Sequence, residues 1–313
     1  MSDAPSATRP IVVVGSHVPG LLLEVEAVPR EGETVLGQTL SEPEDGGKAT
    51  NQAVAAAKLG APVRVVTLVG DDERGRRWRD TFGRYGLDTR WLIVADGPTD
   101  VGVVLLPPSR IPAIVSTLAT SSALDAAAVE ERREAFDGAS YVLCQLEAPP
   151  ECALAAFRCG RAAGATTILN TAPAQPIDRE LLDLTDVLVA NEHEAAVVLG
   201  RDGELADLTA ALAGLHPGLL AIVTAGAGGC YVASGKDVRH TAAPVVEAVD
   251  TTGAGDQFVG ALAARLREGD DVDAAVAFAV RAASLSVTRP GTMPAYVTED
   301  DIPATPPLEV AAP

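Results

Sequence analysis

Short β-branched runs alternate with Ala-rich stretches of helical period along most of this chain. Residues 11–14 read as a strand, 51–59 as a helix, 63–69 as a strand and 72–85 as a helix. The same order resumes at 141–146, 150–163, 166–170, 187–190, 192–199 and 219–224, and ends in a helical stretch from Gly255 onward. The strands are continuously apolar, so both faces of their sheet must be covered, which predicts a mostly parallel sheet between two helical layers. Residues 21–42 and 99–116 break the rhythm: they are strand-like and turn-punctuated, and they lack Ala-rich helical pattern. They are expected to pair as a small β lid carried by one α/β domain spanning 1–313, with ligand bound between lid and the carboxyl ends of the core strands. An apolar fraction of 47% over 313 residues supplies a core of that size.

Charge narrows the partners. Twenty-four Lys and Arg against 43 Asp and Glu leave a net charge of -19, a field that repels phosphate backbones and anionic lipid, so nucleic acid and membrane are not expected partners. A small anion remains accessible, because backbone amides and one Lys can bind it locally. Four cysteines without C-x-x-C spacing, and a short polar start without an apolar signal core, lead to the expectation of a reduced, cytoplasmic protein. Residues 208–234 contain no Asp, Glu, Lys or Arg, but His216, Pro217 and several glycines interrupt them, which predicts a buried helix, turn and strand and no membrane span. Frayed termini are expected at 1–10 and 303–313.

The string Asp250-Thr-Thr-Gly-Ala-Gly-Asp256 precedes an Ala-rich amphipathic stretch, 257–266. Glycines at a helix start expose consecutive N–H groups, and with the helix dipole these favour developing negative charge at one spot. Asp256 in the first turn is then either a carboxylate that complements the dipole or a group acting on whatever binds there. No G-x-x-x-x-G-K-[ST] occurs, so any phosphate binding uses this glycine turn and no P-loop.

Together with further segments in order, these residues resemble the ribokinase-like, PfkB-type family of ATP-dependent carbohydrate and nucleoside kinases. The resemblance covers nearly the whole chain. It rests on Gly46-Gly-Lys-Ala-Thr-Asn-Gln-Ala-Val-Ala55, Gly70-Asp-Asp72, Gln145-Leu-Glu147, Asn170-Thr-Ala-Pro-Ala174, Asn191-Glu-His-Glu194, Thr224-Ala-Gly-Ala-Gly228 and 250–256. It implies a three-layer α/β/α core with a mostly parallel central sheet and a small β-sheet lid. It also implies Asp256 as general base, with Gly253, Ala254 and Gly255 as anion hole. Glu194 would hold Mg²⁺ through water beside Asn191, and Thr224, Gly226 and Gly228 would contact the nucleotide. Gly47, Lys48, Asn51 and Glu147 map to the acceptor side. A monovalent cation, K⁺, would sit by Asp250, Thr252 and the loop of Ser286, Arg289 and Gly291, where Ala295 lacks the family's hydroxyl. Lids of this kind also imply a homodimer.

The acceptor side departs from the pattern. Where ribokinase-like sequences carry Gly-Ser-x-Asn-x-Asp, this chain reads Gly15-Ser-His-Val-Pro-Gly20, so Val18 and Gly20 stand at the positions of the two residues that grip sugar hydroxyls. Each lost hydrogen bond is worth on the order of 1–3 kcal/mol. His17 is either a new acceptor contact or a structural turn residue. Ala49 and Thr50 also differ from the signature, and the turn at 107–112 lacks its glycines. The expectation is a kinase acting on a hydroxymethyl group of an unusual sugar-like or nucleoside-like acceptor. The alternatives are ordinary ribose phosphorylation and a non-catalytic ligand-binding relative.

Overall fold

The computed structural model describes residues 9–109, 113–117 and 123–302. Most of the two expected frayed ends and part of the 107–112 turn lie outside the described residues. In chain order the strands are β1 (Ile11–Val14), β2 (Gly20–Val25), β3 (Gly37–Ser41), β4 (Val63–Val66), β5 (Leu68–Gly70), β6 (Ile93–Ala95), β7 (Gly102–Leu106), β8 (Ala113–Ser116), β9 (Tyr141–Cys144), β10 (Thr166–Asn170), β11 (Val187–Asn191), β12 (Leu220–Thr224), β13 (Cys230–Ser234) and β14 (Asp237–Thr241). The helices are α1 (Lys48–Lys58), α2 (Glu73–Arg84), α3 (Ala126–Glu130), α4 (Pro150–Ala162), α5 (Arg179–Asp183), α6 (Glu192–Leu199), α7 (Leu205–Ala213), α8 (Ala254–Glu268) and α9 (Val272–Ser286).

Eight strands form the central sheet in the order β14-β13-β12-β11-β10-β9-β1-β4. The run from β12 to β4 is parallel, and the β13–β14 hairpin closes one edge antiparallel. The period of two divides the core between the faces. Ile11 and Val13 of β1 join a cluster built with α1, α8 and α9, whereas Val12 and Val14 face Phe136 and Phe157 on the other side. All four are at most 1% exposed, and each such burial contributes roughly 1.5–3 kcal/mol. Further along, Leu188 and Ala190 of β11 pack under α7 while Val187 and Val189 face the α8 side. The result is the expected three-layer α/β/α arrangement.

A second sheet, β3-β2-β7-β8, draws its strands from the two arrhythmic stretches, with β2 and β7 parallel at its centre. Leu40, Ile114 and Val115 on it are exposed. The run expected as one strand over 63–69 divides: β4 stays in the central sheet and β5 pairs with β6 in a separate ribbon. The break falls at fully buried Thr67, whose carbonyl accepts from Ile93 N at 2.8 Å. Residues 208–234 resolve into α7, β12 and β13, and no helix among the described residues is long and apolar enough to cross a membrane.

Candidate active site

Parallel strands end on one edge, so the residues that follow them line up in strand order. Gln145 and Glu147 follow β9, Asn170 ends β10, Asn191 ends β11 and Thr224 ends β12, where it pairs with Asn191. The N-termini of α1 and α8 meet the same edge. Lys48, Asn170, Asn191, Glu194, Thr224, Thr251, Gly253, Ala254, Gly255 and Asp256 line one cavity of about 170 Å³. Next to it, a wider cavity of about 530 Å³ is bounded by Asn191, Thr224, Gly226 and residues of α6.

Gly253 starts α8 in the left-handed region, φ 74°, and carries no capping side chain. Ala254 N makes a long contact to Thr251 O at 3.3 Å, the N–H groups that follow in the first turn have no acceptor within the helix, and residues 253–256 line the cavity. A Cβ at Gly253 would lie 2.5 Å from Thr292 Cγ2 and 2.6 Å from the Tyr296 hydroxyl, so glycine is required both by conformation and by space. Three residues on, Asp256 is buried. Asn51 Nδ2 donates to its Oδ2 at 3.1 Å, and Gln52 Nε2 to its Oδ1 at 2.9 Å. Gln52 also donates to Asn170 Oδ1 at 2.9 Å and accepts from Gln145 Nε2 at 2.6 Å. Burial lifts the Asp256 carboxyl to about 6, against the lowering influence of Lys48, Gln52 and Asn51.

The acceptor-side candidates gather at the start of α1. Gly47, φ 81°, is the N-cap, and Lys48 N donates to Glu147 Oε2 at 2.8 Å. Glu147 is exposed as a residue, yet desolvation around its carboxyl raises it, with Asp256 and Asp45 adding to the rise and Lys48 opposing it. Both Asn51 amide hydrogens are on carboxylates, the second on Asp45 Oδ1 at 2.8 Å. Val18 and Gly20 run beside this loop, donating from their backbone N–H to Gly46 O and Asp45 O.

His17 is not in the cleft, which corrects its expected role as an acceptor contact. It is 1% exposed, with Nδ1 2.9 Å from Thr50 Oγ1 and its ring edge-on to Trp78 and Phe82 at 4.5 and 5.1 Å. Burial pushes it down to about 3, so it is a neutral ring in an aromatic box. The turn Gly15-Ser-His-Val is aimed inward by the close approach of α1, whose Ala49 Cβ leaves no room for a side chain at Gly15.

Asn191 and Glu194 form a reciprocal cap on α6: Glu194 N donates to Asn191 Oδ1 at 2.8 Å, and Asn191 N to Glu194 Oε2 at 3.0 Å. The carboxylate is 6% exposed, also accepts from Thr171 Oγ1 at 3.2 Å, and still lines the smaller cavity. Gly226 and Gly228 form a tight turn after β12, and the Gly228 carbonyl accepts from His240 Nε2 at 2.8 Å. Asp250 bridges two loops, taking Thr252 N at 2.9 Å and Gly291 N at 3.0 Å. Ser286 and Arg289 turn their side chains elsewhere, to Ala283 O and to Asp301. Among the described residues no group of three or more His, Cys, Asp or Glu forms a metal cage.

Gln52, Gln145 and Asn170 lie within the motifs but the motifs point to no role for them, and Asp45 lies outside every motif. Gln52 carried a signal, as a long polar side chain inside the apolar Ala-rich face of α1. Asp45 carried none.

Residues 9–299 match the family described as pfkB family carbohydrate kinase. A ribokinase of Bacillus subtilis is 37% identical over 295 residues, covering 94% of this chain and 98% of that protein. A deoxyribokinase of Salmonella typhi is 31% identical, over 91% and 95%. The structure of Arabidopsis thaliana ribokinase complexed with ribose and ATP superposes with a TM-score of 0.87 at 30% identity, over 93% of this chain and 96% of that one. Motif order, cleft and similarity over nearly the full length agree: the chain belongs to the pfkB family of carbohydrate kinases and is an ATP-dependent carbohydrate kinase.

Proposed function

We propose that this kinase transfers the γ-phosphoryl group of ATP to a hydroxymethyl oxygen of a small sugar, with Asp256 as general base and the amides of Gly253, Ala254 and Gly255 as anion hole. The observation that carries this reading is one cavity holding the buried Asp256 carboxylate, the open first turn of α8 and the Asn191–Glu194–Thr224 edge. The acceptor O–H donates its proton to Asp256, its oxygen bonds to the γ-phosphorus, and the bond to the ADP oxygen breaks. The negative charge spread over the transferring group meets fixed amides and Lys48. Asn51 and Gln52 hold both carboxylate oxygens, leaving lone pairs for the acceptor proton.

Asn191, Thr224, Gly226 and Gly228 are assigned to the nucleotide, and Gly47, Lys48, Asn51 and Glu147 to the acceptor and its approach. Val18 and Gly20 offer that acceptor no side-chain hydrogen bond, so it is gripped differently from the family pattern. The donor set fits Mg²⁺ held in the manner that ion prefers, by one carboxylate, Glu194, with water and substrate phosphates completing the shell. Bound there, the ion neutralises phosphate charge. A monovalent cation fits less completely: Asp250 already accepts two loop amides and Ala295 brings no hydroxyl. K⁺ activation is tested by replacing potassium with a bulky organic cation.

The four-stranded sheet is assigned as the lid of a single kinase domain, built from 21–42 and 99–116, and its exposed Leu40, Ile114 and Val115 support a homodimer through it. The four free cysteines support a reducing compartment, the cytoplasm, as its site of action, and the net charge of -19 supports a small sugar or nucleoside as partner over nucleic acid or an anionic membrane. ADP release from Mg-ATP with and without each acceptor tests the reading: turnover that needs both acceptor and Asp256 supports it. Unchanged turnover in Asp256→Asn refutes it.

A further inference from the structure

Asp45 stands in the loop ahead of α1, belongs to no motif, and is wired into the site. Its Oδ1 accepts from Asn51 Nδ2 at 2.8 Å and from Gly47 N at 3.2 Å. The second hydrogen of the same Asn51 amide lies on Asp256 Oδ2 at 3.1 Å, and Asn51 Oδ1 accepts from Gly46 N at 3.1 Å. Asn51 is thus held at all its polar atoms, with one hydrogen on each of two carboxylates. On its other side Asp45 Oδ2 lies 3.4 Å from Thr292 Oγ1, and the neighbouring Glu44 carbonyl accepts from Met293 N at 3.1 Å. That ties the loop to the segment that packs behind Gly253.

The Asp256 carboxylate, which only accepts, and the Gly46 N–H, which only donates, both turn the Asn51 nitrogen toward Asp256. Asp45 takes the remaining amide hydrogen at 2.8 Å, the shorter of the two bonds, and so sets the plane of the amide and its approach to Asp256. We propose that Asp45 is a positioning residue for phosphoryl transfer: it fixes Asn51 in the orientation that keeps an amide hydrogen on Asp256 and so aims the base carboxylate at the acceptor. The proposal rests on the assignment of Asp256 as base.

The charges facing this pair are Lys48 from α1, Glu147 after β9 and, fully buried beside Gly253, the Tyr296 phenol, which burial and both aspartates keep protonated. Asp45 adds to the upward displacement of Asp256, and Lys48 opposes it. Removing the Asp45 charge therefore moves the acid limb of kcat/KM to lower pH.

The test compares pH profiles of kcat and of both KM values for the whole protein and for Asp45→Asn, Asp45→Ala, Glu147→Gln and Asp256→Asn. The limb that survives in Glu147→Gln belongs to Asp256. Asp45→Asn keeps shape and an acceptor oxygen, so kcat falls about 3-fold and the acid limb moves down. Asp45→Ala releases Asn51, and kcat falls about 30-fold with KM for ATP unchanged. Wild-type kcat and an unmoved limb in both Asp45 variants overturn the proposal. So does a loss confined to acceptor KM, which would make Asp45 a direct acceptor contact. Wild-type turnover in Asp256→Asn removes the base assignment itself, whatever the Asp45 variants do.

Discussion

Asp256 carries a conflict between stability and reaction. Its carboxyl stands near 6 against an ordinary value of 3.8, because burial disfavours the charge more than Asn51, Gln52 and Lys48 favour it. The folded state therefore binds the proton more tightly than the unfolded chain between those values, so stability falls as pH rises from about 4 to about 6 and stays low above. Two units correspond to roughly 3 kcal/mol, part of which Asp256→Asn recovers while losing an acceptor for Gln52 or Asn51. The expected outcome is a variant about 1 kcal/mol more stable than wild type at pH 8, with no gain at pH 4, read by denaturant titration. Activity is expected to run the opposite way: with Asp256 as the proposed base, kcat/KM should fall as pH drops through about 6, measured as a pH profile of ADP release. At Gly253 a methyl group would meet Thr292 and Tyr296 in a left-handed turn. Gly253→Ala is expected to lower kcat at least about 100-fold, measured by ADP release, because the amides it aims lose their common target.

At the scale of elements, the site depends on how closely α1 and α8 approach. A Cβ on Gly260 would lie 2.5 Å from Ala55 Cβ and 2.7 Å from Gln52 O. Gly260 is one turn beyond Asp256, and Ala55 nearly one turn beyond Gln52, so the glycine contact sets the spacing that lets Gln52 and Asn51 reach the carboxylate. Gly260→Leu is expected to destabilise the fold by about 3 kcal/mol and to lower kcat beyond what the remaining folded fraction explains, measured by unfolding and turnover on the same sample. The strand rhythm and the glycine string before α8 were legible because period and turn chemistry are local. The Asn51–Asp256 bond joins residues 205 apart, and the inward turn of His17 depends on α2 supplying Trp78 and Phe82. Neither leaves a local pattern. The division of the 63–69 run at Thr67 was hidden for a similar reason, since the partner β6 lies beyond α2.

For the whole molecule, the central sheet supplies a row of strand ends and the second sheet exposes apolar residues. Pairing of that sheet with a second copy would cover Leu40, Ile114 and Val115. Light scattering is expected to give a dimer, and Ile114→Asp with Leu40→Asp a monomer; a wild-type monomer at micromolar concentration contradicts the lid-mediated dimer. The net charge of -19 belongs to the whole chain, while the cavity itself sets Lys48 and the start of α8 beside Asp256 and Glu194. The resemblance read from ordered motifs and the full-length family match agree because both depend on the same strand-end positions. The departures from the family pattern, Val18, Gly20, Ala49 and Thr50, all fall on the acceptor side.

The central claim is tested most directly by ADP formation from Mg-ATP across pentoses, hexoses, nucleosides and small alcohols, in wild type and in Asp256→Asn. The predicted result is turnover that requires a particular sugar-like acceptor and falls at least about 1,000-fold in the variant while ATP still binds. Acceptor-independent ATP hydrolysis, or acceptor turnover undiminished in Asp256→Asn, would contradict it.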